Sequence, residues 1–258
     1  MGFVKTEQEL SRYYALKVRD FPQAMMMGVM FSADPDLTRA CLPPPLEQAD
    51  MPGGLMFIAE YGETNLGPGY REAALFLRCK YEGQPGSYCL SMPIDSDPNR
   101  LYNGRDIFGF PKKEASIRFE HDAEHALGSV ERRGVRFVEI DINLEGSLPQ
   151  LPPMGPTYLF KASPRIDLEP GFDGPVLLAS QQTEIDARSV AIGPATVRFQ
   201  PSEADPWSEF ESLTPLMGFV IESSNRMLPG RVLTTVDPDA FLPHYFKMTD
   251  FYSGGHEG

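Results

Sequence analysis

Short apolar runs rich in Val, Ile, Leu, Phe and Tyr recur along this chain, and Pro and Gly punctuate the gaps between them. Runs of that length bounded by turn residues predict β-strands. The predicted strands are 24–31, 55–61, 70–81, 86–92, 115–120, 136–144, 157–162, 176–183, 195–199 and 218–228. Helical patterns are confined to 6–16, 34–41 and 238–246. Strands that do not alternate with a regular series of crossover helices disfavour a doubly wound parallel sheet or a (β/α) barrel. The pattern therefore predicts a mainly β (α+β) chain built on antiparallel sheets. No internal repeat is present, and the proline-rich stretches 43–45 and 148–156 read as rigid connections. A single domain spanning 1–258 is expected.

Composition adds the function classes to set aside. With 41% hydrophobic residues there is material for a sizeable core. A net charge of -13 opposes binding to polyanions, which depends on clustered Lys and Arg, so neither nucleic acid nor an anionic membrane is an expected partner. Cys41, Cys79 and Cys89 are odd in number and match no zinc spacing, so they read as reduced core thiols. No window approaches the length of a membrane span, and the first residues lack a signal-peptide core. A cytoplasmic location is expected.

The chain has seven lysines, and two are adjacent in Arg105-Asp106-Ile107-Phe108-Gly109-Phe110-Pro111-Lys112-Lys113. Pro111 fixes its own φ and pushes Phe110 towards extended geometry, so the pair begins an extended segment beside an apolar wall. A lysine attacks a carbonyl only as the free amine, and an ordinary ammonium leaves less than about one part in a thousand neutral at pH 7. Desolvation and like-charge repulsion both favour the amine. On an extended strand the two side chains point to opposite faces, roughly 7 Å or more apart, so burial is expected to outweigh the charge of Lys113. Lys112 is the expected nucleophile, with Lys113, Phe110 and Arg105 as supporting residues.

The run Gly104-Arg105 followed by Phe110-Pro111-Lys112-Lys113 resembles the signature of the acetoacetate decarboxylase family. Similarity extends through Leu42-Pro43-Pro44-Pro45-Leu46-Glu47, Tyr158-Leu159-Phe160-Lys161, Gly193-Pro194-Ala195-Thr196 and Leu228-Pro229-Gly230-Arg231-Val232-Leu233, in family order. The resemblance implies a cone-like closed antiparallel β-barrel with a few peripheral helices, in a homo-oligomer. It also implies a Schiff-base lysine at Lys112, and it maps two active-site glutamates onto Glu60 and Glu72. Carbinolamine collapse needs a proton donor and later steps need a base, which gives carboxylates a chemical reason to be there. Tyr70, beside Glu72 in sequence, and Tyr252, before the Gly-Gly tail, are expected substrate contacts. Counting back from Leu46 places Ala24 where the family carries an active-site arginine, and the nearest arginine is Arg19.

These readings give a cofactor-independent, metal-free lyase acting on short oxo acids through Lys112. The departure at Ala24 favours aldol condensation and dehydration with pyruvate as donor, possible in this superfamily with the same lysine, and an aldehyde as co-substrate. Decarboxylation of acetoacetate is the first alternative, and a non-catalytic barrel binding a small apolar ligand is the second. His121 and His125 have metal-pair spacing but fall in a polar stretch between strands, and no Gly-x-Ser-x-Gly elbow, phosphate loop or dinucleotide fingerprint is present.

Overall fold

The computed structural model of the protein describes residues 2–96, 98–150, 152 and 155–250. Helix α1 (Glu7–Ala15) begins in a capping box, in which Thr6 and Glu9 satisfy each other's backbone amides. β1 (Arg19–Ser32) follows, then α2 (Pro35–Cys41), capped by the Asp34 carboxylate with Pro35 in its first turn. Short β2 (Glu47–Gln48) precedes β3 (Gly53–Tyr61), β4 (Tyr70–Tyr81) and β5 (Gln84–Asp95). Helix α3 (Pro98–Leu101) runs into a π-helix, Tyr102–Phe108, which delivers the chain to β6 (Lys112–Glu114). The remaining strands are β7 (Ser116–His121), β8 (His125–Arg132), β9 (Val135–Asn143), β10 (Gly146–Ser147), β11 (Thr157–Lys161), β12 (Val176–Gln181), β13 (Thr183–Gly193), β14 (Ala195–Phe199), β15 (Thr214–Met227) and β16 (Arg231–Val236). Helix α4 (Pro238–Tyr245) closes the described chain together with one 3₁₀ turn, Phe246–Met248.

The strands form two open sheets. The larger runs β10-β13-β15-β1-β3-β4-β5-β11-β12-β16, with β2 and β6 attached to β4 and β5, and the smaller runs β14-β9-β8-β7. The mainly β, largely antiparallel class is as expected, but the closed barrel is not formed, because β10 and β16 remain as edges. β10 is only two residues long, and the segment after it carries Pro149, Pro152 and Pro156, which have no N–H to continue a ladder. Strands β8, β13 and β16 lie where the apolar pattern predicts none. Their burial is interrupted or slight, so alternation carries little signal in them.

Both faces of the central strands are buried. One face, carrying Met27, Val29, Ile58 and Leu75, packs on Ile117, Val130, Phe137 and Ile140 of the smaller sheet. The other, carrying Phe21, Met26, Phe57, Ala59, Tyr61 and Phe76, forms a second apolar cluster. A strand covered on both sides reads as one unbroken hydrophobic run, which explains why 55–61 shows no polar alternation. That second face walls the site described next. Among the described residues, no helix is long and apolar enough to cross a membrane.

Candidate active site

Lys112 reaches the site by a local device. The π-helix ends at Gly109, whose φ of +90° is open to glycine, and a Cβ there would lie 2.3 Å from the Phe160 carbonyl oxygen. Two backbone bonds fold the chain back, from the Gly109 N–H to the Arg105 carbonyl (2.9 Å) and from the Phe110 N–H to the Gly104 carbonyl (3.1 Å). β6 then pairs in parallel with β5, placing Lys112 level with Met92. The lysine stem crosses Gly104 so closely that a Cβ there would stand 2.1 Å from Lys112 Cε.

Lys112 is 5% exposed and Glu72 7%. Lys112 Nζ donates to Glu72 Oε2 at 2.6 Å, and the Tyr61 hydroxyl donates to Glu72 Oε1 at 3.1 Å. The Tyr70 ring lies 5.7 Å from Lys112 Nζ, and the Arg100 guanidinium stacks on the same ring at 4.8 Å. Arg100 also donates to the Thr64 hydroxyl (2.9 Å) and the Pro68 carbonyl (2.6 Å), tying the loop before β4 to the site. Burial, reinforced by the Glu72 charge, raises the phenols of both Tyr61 and Tyr70 well above 10, although Arg100 opposes the rise at Tyr70. Both therefore stay hydrogen-bond donors throughout the neutral range.

These groups face a cavity of about 420 Å³. Its wall is mostly apolar and includes Phe57, Phe76, Met92, Phe108 and Phe110. Its charged lining residues are Arg19, Arg100, Lys112 and Glu72, so the lining carries an excess of positive charge inside an acidic protein. Such a pocket suits an anionic metabolite held against an apolar surface.

The structure gathers four of the residues picked out in the sequence, Lys112, Glu72, Tyr70 and Phe110, around this cavity. Glu60 is not brought there. It opposes Arg71 across the β3–β4 ladder, while its neighbours Ala59 and Tyr61 take the cavity face, so strand alternation turns it away. Its carboxylate instead accepts from Arg71 Nε at 2.5 Å, with both side chains substantially exposed. Arg105 is also elsewhere, partly exposed on the π-helix and paired with Asp106 at 3.1 Å. Lys113 points away from Lys112, as extended geometry predicts, donating to the Ala204 carbonyl at 2.6 Å and pairing with Asp205 and Asp250 at 3.4 and 3.3 Å. Two carboxylates beside it offset its charge, so Lys113 exerts little field on Lys112. Tyr252 lies outside the described residues.

Sequence reasoning passes over Tyr61, Arg100 and Asn103, and includes Gly104 only as part of the family signature. Tyr61 depends on register: the pairing of Ala59 with Glu72 is what brings Tyr61, not Glu60, to the same face. Gly104 yields a test. Alanine there displaces the flexible end of Lys112 rather than backbone, so Gly104→Ala is expected to fold with a near-native melting temperature. Moving the amine by about 1 Å costs up to about 10²-fold in rate, read as the rate of borohydride-trapped adduct formation. Unchanged trapping would show that the lysine does not need this path.

The family model described as acetoacetate decarboxylase (ADC) matches residues 4–236. The acetoacetate decarboxylase of Burkholderia cenocepacia (strain HI2424) is 28% identical over 192 residues, covering 72% of this chain and 76% of that protein. Among solved structures, an acetoacetate decarboxylase superposes with a TM-score of 0.75 at 20% identity, over 84% of this chain and 89% of that one. The enduracididine biosynthesis enzyme MppR complexed with pyruvate superposes with a TM-score of 0.70 at 20% identity, over 84% of this chain and 90% of its own. The same enzyme complexed with the condensation product of pyruvate and imidazole 4-carboxaldehyde gives 0.70 at 19% identity, over 84% and 89%. A model match from near the first residue to the end of β16, over a chain whose buried lysine follows the Phe110-Pro111 turn, places this protein in the acetoacetate decarboxylase family.

Proposed function

We propose that Lys112 forms a Schiff base with an oxo acid, and that the enzyme uses it for aldol condensation and dehydration with pyruvate as donor. The observation that carries the Schiff-base reading is the buried Lys112–Glu72 contact of 2.6 Å within a 420 Å³ cavity. Glu72 takes the ammonium proton, and the freed amine attacks the oxo carbon. The carbinolamine hydroxyl then accepts that proton, the C–O bond breaks to release water as the nitrogen lone pair forms the iminium, and Glu72 returns to carboxylate. Glu72 next removes a methyl proton to form an enamine, whose carbon attacks an aldehyde. Loss of a second water and hydrolysis of the imine release an unsaturated oxo acid and restore the lysine. Tyr70 donates to the oxygen on which charge develops, while the Tyr61 hydroxyl keeps its bond to Glu72 and holds the carboxylate in place.

Two observations support the condensing branch. Ala24 is buried within the cavity-side cluster and offers no guanidinium at the family's arginine position. The cavity also exceeds the needs of a four-carbon acid, leaving room for a second substrate. The names of the curated relatives favour acetoacetate decarboxylation instead, with Arg100 as the cation near Lys112. NMR in heavy water separates the two. Exchange at the pyruvate methyl, followed by a condensed and dehydrated product when an aldehyde is added, is expected. Rapid acetone formation from acetoacetate without pyruvate exchange would restore the decarboxylase reading.

The same proposal treats the chain as one domain working without cofactor or metal, in the cytoplasm and in a homo-oligomer. Exposed apolar side chains at Phe3, Val4, Tyr14 and Leu216 are consistent with further burial between subunits.

A further inference from the structure

Arg19 lines the same cavity at its other end, and its surroundings do not account for it. It is 8% exposed, stacks on the Tyr13 ring at 5.9 Å, and donates from Nη1 to the Leu16 carbonyl. Its Nε is buried without a hydrogen-bond partner, and among the described residues no carboxylate pairs with the guanidinium. A guanidinium carries five donors, and a buried charge left without a counter-ion is costly. An anion would supply both the acceptor that Nε lacks and the opposite charge.

Register places that anion far from the nucleophile. Glu72 is level with Ala59, Ala59 with Met26, and Met26 with Ile221, whereas Arg19 is level with Met227. Six positions of β15 separate the two levels, roughly 20 Å along the strand at about 3.3 Å per residue. A carboxylate adjoining the carbonyl held by Lys112 would lie beside Tyr70, on the near side of Phe21, whereas Arg19 stands two residues beyond Phe21 on β1. The wall between the two ends includes Phe21, Met26 and Ile221, while buried Asn225 and Gln181 and nearby Thr183 make the Arg19 end polar.

We propose that Arg19 forms a distal anion subsite that binds a carboxylate on the part of the substrate remote from the reacting carbonyl. This inference rests on the condensation reading for one step only: there the remote carboxylate belongs to the aldehyde co-substrate, an apolar aldehyde with an acidic far end. Bidentate geometry makes arginine the suited cation for such a group.

Calorimetry tests the subsite without any chemistry, using octanoate and its uncharged analogue octanamide as probes. Octanoate is expected to bind at least about tenfold tighter, since a charge-assisted bidentate contact outweighs the hydrogen bonds of a neutral amide. Arg19→Gln is expected to bring the ratio near unity, and Arg19→Lys to retain part of it, both with unchanged circular dichroism. Equal affinities in the unmodified enzyme, or a ratio that survives Arg19→Gln, would overturn the proposal. The second arm compares kcat/KM for suberic semialdehyde and octanal in condensation with pyruvate, where the acid is expected to lead by a similar factor that Arg19→Gln removes. An intact octanoate preference with no condensation of either aldehyde supports the subsite and sinks the condensation reading. Condensation that favours octanal sinks the subsite's assignment to the co-substrate.

Discussion

Replacing Lys112 with methionine is expected to abolish the borohydride-trapped adduct with pyruvate and to lower kcat by at least about 10⁴-fold, the scale on which loss of a covalent nucleophile acts. Mass spectrometry of the reduced protein locates the adduct, and trapping that maps to Lys113 or Lys161 would assign the nucleophile elsewhere. Geometry speaks against both. Lys113 is held by Asp205 and Asp250, and Lys161 donates to the Ile107 carbonyl at 3.2 Å from an exposed position. The substitution carries a second consequence, because it leaves the Glu72 carboxylate buried beside the Tyr61 hydroxyl without its cationic partner. Breaking a buried ion pair on one side costs about 3–5 kcal/mol, whereas removing both charges together costs far less. Lys112→Met alone is therefore expected to unfold at lower denaturant concentration, and Lys112→Met with Glu72→Gln to recover most of that loss. Activity should stay absent in both. That divergence separates the chemical role of the amine from its structural one.

The parts of this site that follow from neighbouring residues were legible in the sequence, and the parts that depend on register were not. Pro111 and Gly109 announce a turn into an extended lysine pair, and the opposite directions of Lys112 and Lys113 follow from strand geometry alone. Glu60 shows where such reasoning ends. The run 55–61 is apolar on both faces, so nothing in it says which side meets the lysine, and only the pairing of Ala59 with Glu72 decides. Arg19 lies across an irregularity in the β1–β15 ladder between Phe21 and Ala24, so counting from Ala24 gives neither its face nor its depth. Strand β8 hides for another reason. Its segment His125–Arg132 buries Ala126, Gly128, Ser129 and Val130, small or modestly apolar residues that leave a faint periodic trace. Closure of the large sheet was beyond local pattern altogether, since it depends on two edges distant in sequence.

Glu72→Gln is expected to lower kcat by roughly 10²- to 10⁴-fold, the range associated with a positioned acid or base, while affinity for an unreactive oxo-acid analogue changes little. The carboxylate has two tasks that an amide cannot perform. In the proposed mechanism it accepts the ammonium proton across the 2.6 Å contact with Lys112 Nζ before attack, and returns that proton to the carbinolamine hydroxyl. Glutamine keeps the size and one acceptor, so the Tyr61 contact and the apolar packing persist, but it neither binds nor releases a proton in the working range. Each proton transfer must then be made by water. Slow imine formation and still slower methyl exchange should result, separable by trapping the adduct at successive times and by following deuterium entry into pyruvate. A variant that exchanges the methyl at the normal rate would move the base to another residue, with Tyr61 and Tyr70 the poorer candidates because burial holds both phenols protonated. If trapping slows and exchange within the trapped species does not, Glu72 serves only the entry of substrate, and the later proton transfers belong to water carried in with the aldehyde.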